Sequence, residues 1–180
     1  MNTIPSQTIN SFEAAERQLK EAIYLMFEKR DPVIIHTLAY AAHEILYQLG
    51  KSHNTTSMIW NSVVLKSRWK KEYSDAMRKA GNFFKHAGRN PKKKLEFKPQ
   101  LTHFFICDAV RLYAQLTKNN LFFEGKVLNA WFTLTYPETL EEEAQIELVD
   151  KKMRPLLPSP SDFNDWLSFL KNHKGISKNL

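Results

Sequence analysis

The sequence predicts an all-α protein, an antiparallel helical bundle with a C-terminal helical extension. Apolar residues recur at steps of three and four along most of the chain, which is the period of one buried helix face. Short polar or glycine-containing stretches separate these segments, and such short connections join antiparallel helices. No segment alternates apolar and polar residues as a half-buried strand does. The chain has only five glycines, so a glycine-rich phosphate loop is not expected.

The first two helices are predicted to form a hairpin. Helical spacing of apolar residues indicates a first helix over about 10–29. Asp31 followed by Pro32 is a strong start signal for the second helix, which is expected to run to about Leu49 and stop at Gly50. That second helix is apolar nearly all round. We therefore expect it at the centre of the bundle.

The rest of the chain divides into a bundle and an extension. Further helices are predicted over about 58–66, 69–87, 99–116 and 121–135. After Pro137 the composition changes to an acidic helix, a proline-rich loop and a short last helix that starts at Ser161 or Asp162. We expect a helical bundle over residues 1–135 and an extension over residues 136–180 that packs on the same domain.

Composition favours a cytoplasmic protein without a membrane partner. No run approaches the ~20 apolar residues that a membrane helix needs, and the first residues lack the pattern of a secretory signal. Cys107 is the only cysteine, which excludes an internal disulfide and a cysteine-based zinc cluster. Its apolar neighbours predict a buried thiol without a catalytic role.

Positive charge is concentrated in one window. The formal net charge is +7, yet residues 66–98 hold twelve basic and three acidic residues, an excess of +9. Such a window favours a polyanion partner through counterion release from phosphates. Lys85 and the exposed loop residues Lys92, Lys93 and Lys94 are the predicted nucleic-acid contacts. The alternative is a solvated, solubilising face.

The helix that begins near Trp69 carries a candidate catalytic pair. Asn82 and His86 lie one turn apart, and histidine is easily tuned for proton transfer near neutral pH. The asparagine amide can orient the imidazole or a bound phosphate. Arg78 and Arg89 lie close enough in sequence to add positive charge. A surface histidine beside a helix-terminal asparagine is the alternative.

Two histidines on the predicted central helix invite a second interpretation. His36 and His43 share a helix face with two tyrosines and could join His86 in a metal site. Their i, i+7 spacing is weaker than that of helical zinc motifs. We therefore expect hydrogen-bonded histidines and tyrosines that line a cleft or dimer seam, and no metal or cofactor. Asp108 lies on or beside an apolar stripe and needs a partner, for which a structural hydrogen bond is expected.

The hairpin followed by Gly81-Asn82-Phe83-Phe84-Lys85-His86 resembles the HEPN superfamily, all-helical bacterial domains named for higher eukaryotes and prokaryotes nucleotide binding. Nuclease members of that superfamily share an arginine, a polar residue and a histidine on a helix after the first hairpin, written R-x(4–6)-H and often R-N-x-x-x-H. Asn82 and His86 match it, whereas Gly81 stands at the arginine. Arg78 or Arg89 would have to supply the missing charge. The resemblance covers roughly residues 10–120.

The resemblance implies a homodimer that holds RNA in a cleft between two subunits. His86 would exchange the proton of the ribose 2′-hydroxyl, while Lys85 and Arg89 stabilise phosphate charge. The protein would then either cleave RNA, as a metal-independent ribonuclease of a toxin or phage-defence type with an antitoxin as partner, or bind RNA without cleaving it. An inactive helical dimerisation or protein-interaction module is the alternative, and Gly81 would then mark lost catalysis. A histidine-based metal-binding bundle is a third, weaker alternative.

Overall fold

The computed structural model describes residues 6–60, 67–86, 92–140 and 157–172. These residues form α-helices and two short 3-10 helices (Lys51–His53 and Pro137–Thr139), and no strand occurs among them. The six helices are α1 (Ser11–Phe27), α2 (Pro32–Gly50), α3 (Ser67–Lys85), α4 (Leu101–Leu116), α5 (Phe123–Thr135) and α6 (Phe163–Asn172). The predicted all-α bundle is confirmed.

Local capping sets the boundaries of the first hairpin. The Asn10 side chain accepts the Glu13 amide at 2.8 Å, and the Glu13 carboxylate accepts the Asn10 amide at 3.2 Å, which completes a capping box. Asp31 accepts the Val33 amide at 2.8 Å and is followed by Pro32. The predicted starts of both helices are therefore correct.

Gly50 allows the chain after α2 to pass close to the end of the helix. Its backbone is still helical, with φ −68°, and the chain reverses only at Asn54, where φ is +54°. The chain then returns over α2, so a Cβ at Gly50 would lie 1.9 Å from Thr55 Oγ1. α2 thus includes Gly50 and passes into a 3-10 turn.

The core lies where α2 packs between α1 and α4. Fully buried residues from several helices meet there, among them Leu19, Leu46, Phe105 and Trp131. The predicted central position of α2 is confirmed for most of its length. Its first turn differs, because that turn projects beyond the core and leaves Ile34 54% exposed.

The C-terminal helix packs against α1 and α5. Trp166 of α6 is fully buried, and its ring lies 6.1 Å from that of Phe27. Two indole N–H groups hold the preceding loop, since Trp131 donates to Pro160 O at 3.0 Å and Trp166 donates to Ser159 O at 2.9 Å. Of the two predicted start positions, Ser161 and Asp162, the structure selects Asp162, because its carboxylate accepts the Asp165 amide at 3.1 Å.

Parts of two predicted elements lie outside the described residues. Residues 58–60 form a turn, and 61–66 of the predicted helix over 58–66 are not described. Residues 137–139 form a 3-10 helix, and the predicted acidic helix falls largely on 141–156, outside the described residues. In the described part of the chain, no helix has the length and apolar character needed to cross a membrane.

Candidate nucleic-acid interface

Arg78, Asn82 and His86 follow one another at intervals of four along α3, and all three are exposed. The His86 amide donates to Asn82 O at 3.1 Å, so His86 continues the last turn of the helix. Four residues advance a helix by about 6 Å and turn it by only about 40° beyond a full turn. The three residues therefore form one continuous surface, here called the α3 polar strip, with Arg78 and His86 about 12 Å apart along the axis.

Gly81, at the position of the HEPN arginine, faces the protein interior. A Cβ there would lie 2.3 Å from two ring carbons of Tyr40, far inside normal contact distance. Tyr40 is buried and stacks on Phe105 with ring centroids 5.4 Å apart, so the ring is held in place. The close packing of α3 on α2 thus excludes any larger side chain at position 81.

Lys85 fixes the end of α3 to α2 through Glu44. The ammonium lies 2.7 Å from a Glu44 carboxylate oxygen and 4.3 Å from the centre of the Tyr40 ring. Burial alone would raise the pKa of Glu44, but hydrogen bonds from Lys85 and Tyr40 hold it below its ordinary value. Burial, and then the bond to Glu44, raise the pKa of Tyr40 to about 12. Lys85, a predicted RNA contact, therefore already shares its charge with a carboxylate.

Arg78 is exposed but held against an aromatic ring. Its guanidinium carbon lies 4.1 Å from the centre of the Trp60 ring, a cation–π contact. Trp60 in turn packs edge-on against Phe105, 6.1 Å away between centroids. This contact orients a planar group that can donate to phosphate oxygens from a prearranged position.

The predicted basic loop is exposed where it is described. Lys92, Lys93, Lys94 and Lys98 are all exposed, in a segment without helix that reaches α4. The prediction of a non-helical basic segment is confirmed for residues 92–98. Arg89, predicted as a source of catalytic charge, lies outside the described residues.

A cavity of about 300 Å³ lies between α3, the segment 95–98 and the first turn of α4. Its lining combines apolar groups, one imidazole and charged residues, and includes His36, Lys79, Glu96, Phe97, Lys98 and Leu101. We call it the basic-window pocket, since most of its lining belongs to residues 66–98. It shares helix α3 with the polar strip.

The histidines of α2 lie in the core. His36 and His43 are each 1% exposed, whereas His86 is exposed on α3. His36 Nδ1 is 2.9 Å from Thr102 Oγ1, and His43 Nε2 is 2.8 Å from Asp108 Oδ2. The hydrogen bonds expected of both histidines are confirmed. His36 also lines the basic-window pocket, as expected for a cleft, whereas His43 is buried and is not among the residues of that pocket. Within the described ranges, no group of three or more His, Cys, Asp or Glu side chains could hold a metal ion.

Asp108 is a structural anchor for the loop after α2. It is fully buried and accepts hydrogen bonds from His43, from the Ser57 hydroxyl and from the Met58 amide, the last at 2.6 Å. The predicted structural hydrogen bond is confirmed. Its neighbour Cys107 is also fully buried, as predicted, and burial raises the pKa of the thiol.

Sequence reasoning missed several residues that shape this surface. Glu44 is the one carboxylate on an otherwise uncharged α2, a signal that could have pointed to a cationic partner. Trp60 lies in a turn and Phe97 in a non-helical segment, so helical spacing does not predict what their rings contact. No family model, curated protein or solved structure matches this chain.

Proposed function

We propose that this protein binds RNA through the α3 polar strip and the basic residues around it, and that a HEPN-like homodimer cleaves the RNA without a metal ion. One observation carries the proposal: Arg78, Asn82 and His86 share an exposed face within the window of excess positive charge. The motif resemblance supplies the reaction class.

Binding follows from the exposed cations. Lys79, Lys92, Lys93, Lys94 and Lys98 are exposed and belong to the same window as the strip. Each lysine that neutralises a phosphate releases condensed counterions, so affinity falls steeply as salt is raised. The pairing of Lys85 with Glu44 reduces its own contribution.

Cleavage without metal needs one base and one acid. The imidazole of His86 removes the proton from a ribose 2′-hydroxyl, whose oxygen attacks the adjacent phosphorus. The bond from phosphorus to the 5′-oxygen breaks, and that oxygen takes a proton from the acid. The products are a 2′,3′-cyclic phosphate and a 5′-hydroxyl. The α3 polar strip holds one imidazole, that of His86, which acts as the base. In this proposal the acid therefore comes from another copy of the chain.

Asn82 and Arg78 have separate roles in this proposal. Asn82 lies one turn from His86 and can orient the imidazole or the scissile phosphate. Arg78 is about 12 Å further along the axis and rests on Trp60. It therefore binds a phosphate some distance from the reacting one. In a toxin or phage-defence setting, an antitoxin would act by covering this strip.

The test is incubation of bacterial RNA with wild-type protein, His86→Ala and a matched control, His53→Ala, with and without chelator. His53 is exposed like His86 but lies in the 3-10 turn after α2, outside the basic window. We expect cleavage by wild type and His53→Ala that persists in chelator, and none by His86→Ala. A wild-type protein that is inactive at micromolar concentration, or inhibited by chelator, would refute the metal-independent mechanism.

The second candidate is an inactive dimerisation or protein-interaction module. The packing of Gly81 on Tyr40 favours it, because that contact leaves the motif without its arginine. Light scattering would then show a stable dimer, and His86→Ala would match wild type in size and in every binding assay.

A further inference from the structure

The basic-window pocket combines one phenylalanine ring and aliphatic side chains with charged groups. Phe97 is partly exposed, and its ring lies 5.2 Å from that of His36 and 5.1 Å from that of Phe84. His36 is fixed by its contact with Thr102 at 2.9 Å. The ring of Phe97 is thus held by neighbours while part of it remains accessible to a ligand.

The charged lining residues differ in sign and therefore in what they can bind. Lys79 and Lys98 are exposed lysines that suit a phosphate, and Glu96 is an exposed carboxylate that accepts hydrogen bonds from an amino group. A ligand that binds both the lysines and Glu96 must have an anionic part and a planar part with amino hydrogens. A nucleotide has this composition.

The size and position of the cavity agree with such a ligand. About 300 Å³ is at the lower end of the range for small-molecule sites, which suits one nucleotide and not a helix or a folded partner. Lys79 and His86 are seven residues apart on α3, which places them on one face about 10 Å apart. A single strand could therefore reach both the pocket and the polar strip.

We propose that the basic-window pocket binds one unpaired base of single-stranded RNA, with its phosphate at Lys79 and Lys98. This inference rests on the RNA binding proposed above and identifies the form of RNA that is bound. Unstacked bases in single strands pack against aromatic side chains, whereas paired bases in a duplex cannot enter such a pocket. A free nucleoside monophosphate offers the same chemistry, so the experiment includes it.

The experiment compares wild type with Phe97→Ala, Phe97→Tyr and a matched control, Phe83→Ala. Phe83 is also a partly buried phenylalanine of the basic window, but it is not among the pocket residues. The probe is a fluorescein-labelled RNA 12-mer, single-stranded or annealed to its complement, and binding is followed by anisotropy. Thermal unfolding confirms that each variant is folded.

We expect Phe97→Ala to weaken single-strand binding about ten-fold and leave duplex binding unchanged. Phe97→Tyr, which keeps the ring, and Phe83→Ala should both bind like wild type. If Phe97→Ala binds the single strand with wild-type affinity, the proposed base binding in the pocket is refuted, whereas the proposed RNA binding by the protein is unaffected. A folded Phe97→Ala that loses equal affinity for single strand and duplex would overturn it as well.

Calorimetric titration of the same proteins with each nucleoside monophosphate separates the two sources of nucleotide. If wild type binds no RNA but binds a monophosphate, and Phe97→Ala does not, the pocket is supported and the proposed RNA function fails. If wild type binds neither RNA nor any monophosphate, both proposals are overturned.

Discussion

Replacing Gly81 by alanine tests whether close packing explains the missing motif arginine. The new Cβ would lie 2.3 Å from Cδ2 and Cε2 of Tyr40, so the ring would have to retreat by about 1 Å to reach normal contact. Tyr40 cannot retreat freely, because it stacks on Phe105 and is only 4% exposed. The strain must therefore separate α3 from α2 or distort the core.

The expected magnitude follows from two opposing effects. Alanine is favoured over glycine inside a helix by about 1 kcal/mol. Overpacking of a fixed ring costs about 3 kcal/mol, the upper end of the usual range. The net loss in the free energy of unfolding is then about 2 kcal/mol, which corresponds to a fall in Tm of roughly 4–8 °C for a domain of this size.

Urea unfolding followed by circular dichroism measures this change. Asn82→Ala is the control, since it alters an exposed position of the same helix and should stay within about 0.5 kcal/mol of wild type. In a Tyr40→Ala background, Gly81→Ala should become stabilising by about 1 kcal/mol, as helix propensity alone requires. A Gly81→Ala protein more stable than wild type would refute the packing argument. Gly81→Arg would then be a reasonable way to restore the motif.

Three further predictions concern two fully buried groups and the partly buried His103. Asp108→Ala should destabilise the protein by about 3–5 kcal/mol, because it leaves the buried Ser57 hydroxyl and Met58 amide without a hydrogen-bond acceptor. A decrease of less than about 1 kcal/mol in the free energy of unfolding, measured in urea, would contradict this prediction. Burial lowers the pKa of His103 from 6.5 to about 4. Between pH 6.5 and about pH 4, His103 is therefore protonated in the unfolded chain but not in the folded one, so the free energy of unfolding should decrease as the pH falls through this range. His103→Gln should flatten that decline, and an unchanged pH profile would exclude His103 as its source. Cys107 should react with a thiol reagent only after unfolding, and rapid reaction of the native protein would show that it is not buried.

The sequence alone determined most of the helices and the location of the charge. Asn10, Asp31 and Asp162 begin helices through contacts with amides two or three residues away, and such contacts depend on short stretches of chain. Apolar periodicity identifies the buried face of each helix without reference to its neighbours. The basic window is likewise a property of composition along the chain.

The tertiary structure decided what those residues contact. The sequence alone suggested that Gly81 replaces a motif arginine. In the fold, Gly81 is the residue at which α3 packs against the Tyr40 ring. The sequence predicted that Lys85 contacts nucleic acid. In the fold its ammonium pairs with the carboxylate of Glu44, 41 residues earlier. Phe97 joins His36 in a pocket only because a non-helical segment crosses between α3 and α4. These contacts join distant parts of the chain, and the distances and angles between packed helices are not encoded in local spacing.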